Sequence, residues 1–253
     1  MLSEGKIIGK GLKLAEKRRM LAFPEIVPPR TVRLKFCKVG TLQYISHLDL
    51  QTAFNRIINR ACIPVWYTKG FNPHIKLVFS TPLSVGTQSV CEYLDIRINR
   101  EISCEDIVKK LNAEMTDEFY ITDAYYPQND FSEIAYATYE IRIHSEDMAE
   151  NDAEKVQSLL TTSPLIMTKK SKSGEKEVDI ISLINSVEAS YDKEDDCIVI
   201  NATVRASSKE YLNPELLVTA IRQNLGLLCT DPMKEHYSIM RLELLKEDLS
   251  IFR

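Results

Sequence analysis

Residues 32–60 read VRLKFCKVGTLQYISHLDLQTAFNRIINR, and this stretch decides the fold. Apolar and polar residues alternate from Val32 to Phe36, and a period of two predicts a half-buried strand. Ser46 then opens an apolar series with a period near 3.6, and Asp49 follows three residues later, which is the pattern of a capped amphipathic helix. Because the strand is followed directly by a helix, the stretch predicts an α+β fold.

The flanking elements extend this start into a repeated order. After the helix come two strand segments around a loop (residues 64–80), a further strand, a helix and a closing strand. The order of strand, helix, hairpin, strand, helix and strand then recurs between Ala135 and Leu245. We therefore predict two tandem ferredoxin-like (βαββαβ) lobes, at residues 30–128 and 129–253, behind a basic N-terminal tail or linker at residues 1–29.

Length and composition exclude several classes of protein. The chain has 253 residues, of which 44% are hydrophobic and 27% charged, as in average globular proteins, so fibrous and wholly disordered classes are excluded. No apolar run approaches the roughly 18 residues that span a bilayer, and the N-terminus lacks a signal-peptide pattern, so we expect a cytoplasmic protein without membrane contact. Its six cysteines form no Cys-x-x-Cys pair and no nucleotide-binding loop occurs, so we expect no metal and no cofactor.

Charge is distributed unevenly along the chain. Residues 30–80 contain eight Lys or Arg and only one acid, Asp49, and therefore carry +7. The whole chain carries −4, so the other 202 residues sum to −11. An asymmetry of this size favours a polyanionic partner, such as RNA, at the basic end.

The loop at residues 67–74 (YTKGFNPH) combines cations, an amide and aromatic rings. Gly70 lets the backbone approach a ligand, and rings among cations are the combination that stacks unpaired bases. Strand alternation places Trp66 and Tyr67 on opposite faces, and we expect Tyr67 to be the exposed, stacking residue. In the alternative, structural interpretation, Trp66 and Phe71 pack in the core. The expected nucleic-acid contacts are Arg33, Lys35, Arg56, Arg60, Tyr67, Lys69, Asn72, His74 and Lys76.

The two histidines of the basic segment suggest a catalytic alternative. Metal-independent cleavage of RNA needs a general base, a general acid and a cation, which His47, His74 and Lys69 could supply. However, His47 lies in the first turn of the predicted helix and Asp49 in its cap, where both have a structural use. Catalysis by His47 and His74 therefore stays the weaker interpretation. A metal site from His47, Asp49 and His74 is not expected, because three mixed ligands make a poor zinc set.

Several short segments together carry a family resemblance. They are FCKVG at 36–40, SHLD at 46–49, CIP at 62–64, YTKGFNPH at 67–74 and PLSVG at 82–86. The set resembles a bacterial family of unknown function that is named for its association with radical SAM enzymes, to which its members are fused or beside which they are encoded. Cys62 departs from the family pattern, which has glycine there. The resemblance covers about residues 30–220 and implies a radical SAM partner. Because the chain has no Cys-x-x-x-Cys-x-x-Cys motif, it would be the companion and not the radical enzyme.

These observations predict an RNA-binding accessory protein, not itself an enzyme, that presents an RNA substrate to a radical SAM partner. The predicted architecture is also similar to the tandem ferredoxin-like RNA-binding proteins of CRISPR processing, which is an analogy of fold alone. Two alternatives stay open. One is a docking module whose basic face meets the partner enzyme without RNA contact, and the other is a metal-independent ribonuclease.

Overall fold

The structure is a computed structural model that describes Ala15 and residues 22–145, 148–171, 174–231 and 233–253. Most of the N-terminal tail predicted at residues 1–29 therefore lies outside the described residues. The chain is a mixed α+β protein that divides into two compact units. The first comprises Met1–Val85 and Cys91–Asn129, and the second Gly86–Val90 and Asp130–Arg253. No helix in the described part of the chain is long and apolar enough to cross a membrane.

The first unit packs two helices on a sheet whose strands lie in the order β4-β1-β3-β2. Strand β4 is antiparallel to β1, and β2 is antiparallel to β3. The first residues of β3, up to Val90, belong to the second unit. The elements are β1 (Arg30–Lys38), α1 (His47–Arg60), β2 (Val78–Phe79), β3 (Thr87–Ile98), α2 (Cys104–Asn112) and β4 (Phe119–Tyr125).

Local sequence explains where α1 begins and which face it buries. The Ser46 hydroxyl accepts a hydrogen bond from the backbone N–H of Asp49 at 3.2 Å, which caps the helix as its sequence predicts. Phe54 of α1 packs edge-on against Phe36 of β1, with 5.0 Å between the ring centroids. The apolar face of α1, which also contains Leu50, Ile57 and Ile58, thereby closes the core of the first unit.

The second unit has an antiparallel sheet in the order β10-β5-β9-β8. Residues 87–89 of β3 add a parallel pairing to β10, so the sheet of this unit is mixed. A hairpin of β6 and β7 forms a separate two-stranded sheet. The elements are β5 (Tyr136–His144), α3 (Glu150–Thr161), β6 (Ile166–Ser171), β7 (Gly174–Asp179), β8 (Ile184–Asp192), β9 (Cys197–Arg205), α4 (Glu215–Leu225) and β10 (His236–Leu245).

In each unit, an amide side chain on a helix makes hydrogen bonds to the backbone of the strand at the sheet edge. In the second unit, the Gln157 amide of α3 donates to the Val187 carbonyl at 3.1 Å and accepts from the Ala189 N–H at 2.7 Å, both on β8. In the first unit, Asn112 of α2 makes the same two kinds of bond with the backbone of Ile121 on β4, at 2.9 and 2.7 Å. Backbone groups that would otherwise be unpaired at a sheet edge are therefore satisfied by an amide.

Two sequence expectations about strands need correction. Strand β8 was not predicted, because INSVEASYD is polar and lies at an edge, where only part of each residue is buried. The two strand segments expected within residues 64–80 are reduced to the two-residue β2 and to isolated pairings at Val65 and at Tyr67. The remaining residues of that segment leave the sheet, and they form the most exposed part of the first unit's basic region.

Candidate nucleic-acid interface

The second strand of the first unit is split by a long insertion. Val65 pairs with β3 at Ile98, and Val78 pairs with the same strand at Asp95. Residues 67–77 between them leave the sheet and return to it, and we call this segment the excursion. Residues 69–74 are all exposed, so the side chains of this part do not follow the buried–exposed alternation of a strand.

A few bonds close the excursion on itself. Tyr67 pairs with Ile75, and the Thr68 N–H donates to the His74 carbonyl at 2.9 Å. The Thr68 hydroxyl also accepts from the His74 N–H at 3.1 Å. Gly70 has φ +141°, a conformation that side chains with a Cβ rarely adopt, so glycine is required in the turn. The result is a narrow loop whose tip is formed by residues 69–73.

The excursion is fastened to α1 by one side-chain bond. The Tyr67 hydroxyl donates to Asn59 Oδ1 at 2.8 Å, and Asn59 Nδ2 donates to the Asn55 carbonyl at 2.7 Å, which fixes the orientation of the amide. Near the other end of α1, the His47 ring lies edge-on against Phe79, with 4.9 Å between centroids. Residues 47 and 59 are about 18 Å apart along the helix axis. The excursion and β2 therefore follow α1 over most of its length.

Exposed cations occur on both sides of this contact. Arg56 and Arg60 line a shallow groove on α1 together with Thr52, Asn55 and Asn59. Arg60 pairs with Glu114 at 3.0 Å and is still 56% exposed. Within residues 30–80, three cations have exposed side chains and no hydrogen bond or ion pair to any residue that the structure describes: Arg56, Lys69 and Lys76.

The aromatic residues of the segment differ sharply in exposure. Phe71 is fully exposed at the tip, whereas Tyr67 is 42% exposed, as expected from the sequence. Trp66 is half-buried, with the Arg97 guanidinium 5.6 Å from its ring centroid. The interpretation in which Phe71 packs in the core is therefore wrong. Asn72 is also exposed at the tip.

Arg33 does not belong to this surface. Its side chain is 1% exposed, and its guanidinium donates to the Asp95 carboxylate at 2.8 and 2.9 Å and to Asn129 Oδ1 at 2.6 Å. A buried guanidinium with these partners cannot contact a phosphate without breaking the ion pair. Its expected role in nucleic-acid binding is therefore corrected to a structural one.

Lys35 is half-buried on the face of β1 opposite to Leu34 and Phe36, which pack beneath α1. Its Nζ lies 5.9 Å from the ring centroid of Tyr93. Lys35 is therefore separated from the surface of α1 and the excursion by the sheet, and it too is removed from the candidate interface.

The structure does not bring His47 and His74 to one reacting group. His47 is bonded to Gln51 at 2.9 Å, and His74 Nδ1 lies 3.1 Å from the Thr68 hydroxyl. His74 precedes Phe79, the neighbour of His47, by five residues along a segment whose exposure mostly alternates as in a strand. At about 3.3 Å per residue, the backbone positions of His74 and Phe79 are roughly 16 Å apart, so His74 lies away from the ring against which His47 packs.

Asn59 is the important residue that sequence reasoning missed. A signal for it exists, because His47, Gln51, Asn55 and Asn59 recur every four residues and form one polar stripe along α1. The stripe alone does not show that the excursion forms a hydrogen bond with it. That contact depends on the split strand, which the sequence indicates only as a broken pattern.

Comparison with known proteins gives one strong match. A model of the family described as "Uncharacterized protein conserved in bacteria (DUF2344)" matches residues 31–214, a range that includes both α1 and the excursion. No curated protein matches the chain.

Solved structures give only distant likenesses. A chain of a Cbf5-Nop10-Gar1 complex is 12% identical with a TM-score of 0.43 over 92% of this chain, which spans only 52% of that one. An unknown protein from Galdieria sulphuraria is 10% identical over 84% of this chain and 98% of its own, with a TM-score of 0.24. DyPB from Rhodococcus jostii RHA1 is 11% identical over 86% of this chain and 94% of its own, with a TM-score of 0.20. At such values none of these likenesses supports a conclusion about fold or function.

Proposed function

We propose that this chain, which belongs to the DUF2344 family of uncharacterized bacterial proteins, is an RNA-binding accessory protein with its binding surface on α1 and the excursion. The observation that carries the proposal is the 2.8 Å bond between Tyr67 and Asn59. It holds an exposed, aromatic-tipped loop beside a helix face that carries the exposed cations Arg56 and Arg60. Phosphate contacts from cations, with aromatic rings among them, are the usual means of binding single strands.

The proposal includes an architecture and a partner. We propose that each unit is a ferredoxin-like lobe, which the orders β4-β1-β3-β2 and β10-β5-β9-β8 support, since a βαββαβ unit places its strands in the order 4-1-3-2. We also propose that the RNA is presented to a radical SAM enzyme in the cytoplasm. That partner rests on the resemblance carried by the SHLD and GFNPH segments.

A second candidate function is docking to the partner enzyme without RNA. The fully exposed Phe71 favours it, because an exposed aromatic side chain is also a common anchor in protein interfaces. The ribonuclease alternative has less support, since His47 and His74 lie far apart.

The test is a salt titration of RNA binding. Anisotropy of a labelled, unstructured 12-nucleotide RNA would be measured between 50 and 200 mM salt with the whole protein and with Arg56→Ala, Lys69→Ala and Lys76→Ala. Lys209→Ala is the matched control, because it removes an exposed cation from the second unit. Three contacts at about 0.7 each give a slope near −2.1, or roughly an 18-fold loss of affinity across this range.

Each of the three substitutions is expected to weaken binding and to reduce the slope by about 0.7, whereas the control leaves both unchanged. Absence of binding, or an equal loss in Lys209→Ala, would contradict the proposal. RNA integrity is followed on gels in the same samples. Cleavage by the wild type that disappears in His47→Asn or His74→Asn would establish the ribonuclease alternative instead.

A further inference from the structure

Phe71 is an apolar ring that the first unit does not use for its own packing. It is fully exposed at the tip of the excursion, and it contributes nothing to the core cluster beneath α1. Gly70, immediately before it, has open space around its Cα, so the chain is not crowded there. A large ring presented on a narrow turn offers both faces to a ligand.

Tyr67, in contrast, is held in place. Its hydroxyl is bonded to Asn59, and its side chain is 42% exposed, whereas Phe71 is fully exposed and has no such bond. The bond fixes the start of the excursion against α1 and thereby determines where its tip lies. The two aromatic residues therefore have separate tasks: Tyr67 anchors the loop, and Phe71 remains free for contact.

The charge around Phe71 indicates the kind of ligand. Lys69 is two residues away and exposed, and no acidic residue occurs in the sequence between Asp49 and Glu92. An aromatic side chain whose neighbours in the sequence include cations and no acids matches a ligand that has flat bases joined by phosphates.

We infer that Phe71 is the stacking platform for an unpaired base, and that the ligand class is single-stranded rather than duplex RNA. The inference rests on the proposed function, and in it Phe71 takes the stacking role that the sequence assigns to Tyr67. In a duplex each base is already stacked on its neighbours and enclosed between two backbones, so a ring on a loop tip cannot reach a base face without unpairing it. An unpaired base exposes that face at no such cost.

The experiment compares three substitutions at Phe71 on two ligands at fixed salt. Binding of an unstructured 12-nucleotide RNA and of the same strand in a duplex is measured for Phe71→Ala, Phe71→Leu and Phe71→Trp. Ile251→Ala is the control, since Ile251 is a 60% exposed apolar residue in the second unit, outside the proposed surface. Phe71→Ala should weaken single-strand binding roughly 5- to 140-fold, the range that stacking of one base implies.

The other variants separate stacking from plain hydrophobic contact. Phe71→Leu should be as weak as Phe71→Ala because leucine has no π-face, and Phe71→Trp should bind at least as well as the wild type. The salt slope should stay unchanged in all three, since no cation is removed, and the duplex should bind weakly and without dependence on residue 71.

Three results would overturn the inference in distinguishable ways. If Phe71→Ala binds like the wild type while Lys69→Ala weakens binding, the surface binds RNA without stacking on Phe71, and the proposed function stands. If Phe71→Leu retains wild-type affinity, the contact is hydrophobic and not base stacking. If the wild type binds no RNA and Phe71→Ala loses binding to a purified radical SAM partner, the proposed function fails as well and the loop is a protein-docking element.

Discussion

Arg33 is a cation that stabilises the fold through its ion pair with Asp95, and substitution of Asp95 tests this role. Arg33 is 1% exposed and Asp95 15%, and two bonds of 2.8 and 2.9 Å join the guanidinium to the carboxylate. Asp95→Ala removes this partner and leaves a buried positive charge, with Asn129 still bonded to it. Breaking a buried pair from one side costs about 3–5 kcal/mol, because the remaining buried charge loses its carboxylate. Two hydrogen bonds to a charged group, at about 1.5–3 kcal/mol each, give a similar figure.

Urea denaturation followed by tryptophan fluorescence is a suitable assay, because Trp66 is the single tryptophan and lies in the first unit. Asp95→Ala should lower the free energy of unfolding by about 3–5 kcal/mol, and Asp95→Asn, which keeps one acceptor, by less. Arg60→Ala is the matched control. Its guanidinium is 56% exposed, and a pair with a partner so open to solvent contributes at most about 1 kcal/mol.

RNA affinity of the folded variants supplies the second readout. Asp95→Asn should bind RNA with the affinity and salt slope of the wild type, because Arg33 does not face the ligand. A loss of stability below about 1 kcal/mol in Asp95→Ala would refute the reasoning. So would a change of salt slope in Asp95→Asn as large as that of Lys69→Ala, since it would mean that Arg33 contacts phosphate.

Two further predictions concern the second unit. Gln157→Ala should destabilise the protein by about 1–3 kcal/mol in urea denaturation, because two backbone groups at the β8 edge lose their partners. It should also promote concentration-dependent association in size-exclusion chromatography. Gln157→Glu should be intermediate between the wild type and Gln157→Ala, and a Gln157→Ala variant that is monodisperse and as stable as the wild type would contradict this prediction. The His144 and His236 rings are stacked with 4.3 Å between centroids, and burial, followed by the charge of His236, lowers the pKa of His144 below 6.5. The folded protein therefore binds fewer protons than the unfolded chain, so stability should decrease as the pH falls through about 6.5 and stop decreasing below the folded-state pKa. A thermal unfolding series from pH 8 to 5 should show this decrease in the wild type and a smaller one in His144→Phe, and equal profiles would contradict it.

Local sequence determined the elements that depend only on neighbouring residues. The alternation from Val32 to Phe36 and the Ser46 cap both act within a few residues, so β1 and the start of α1 were predictable. Strand β8 was not, because an edge strand with a polar sequence gains its pairing from β9 and from Gln157 of α3. Neither partner can be recognised from the sequence of β8 alone.

Periodicity also indicates which residues share a face without indicating whether that face is buried. Alternation places Arg33 and Lys35 together, opposite to Leu34, and this is correct. A half-buried strand with one solvent face then predicts that both cations are available to a ligand. In the structure Arg33 and the nearby Tyr93 of β3 are each 1% exposed, so this face of the sheet is also largely buried. Strand period alone cannot distinguish the two cases.

Counting charges along the chain overestimated the free positive surface for a related reason. The eight cations of residues 30–80 include Arg33, which meets an acid 62 positions away, and Arg60, which meets Glu114 at a distance of 54 positions. Lys38 is buried and Arg30 pairs with Glu101. Long-range ion pairs of this kind cancel much of the local excess of positive charge. The exposed cations of residues 30–80 that form no ion pair lie on α1 and the excursion.

The length of the excursion is itself an argument for a binding role. Val65 and Val78 pair with residues of β3 that are three positions apart, or about 10 Å along the strand. Two residues in extended conformation would join them, yet the chain uses twelve. A longer loop adds little entropic cost, so the fold tolerates the extra residues without needing them. The fully exposed Phe71 adds nothing to the core, and Lys69 and Lys76 bond to no described residue. The sheet therefore does not account for the composition of the segment, and this supports the proposed binding role.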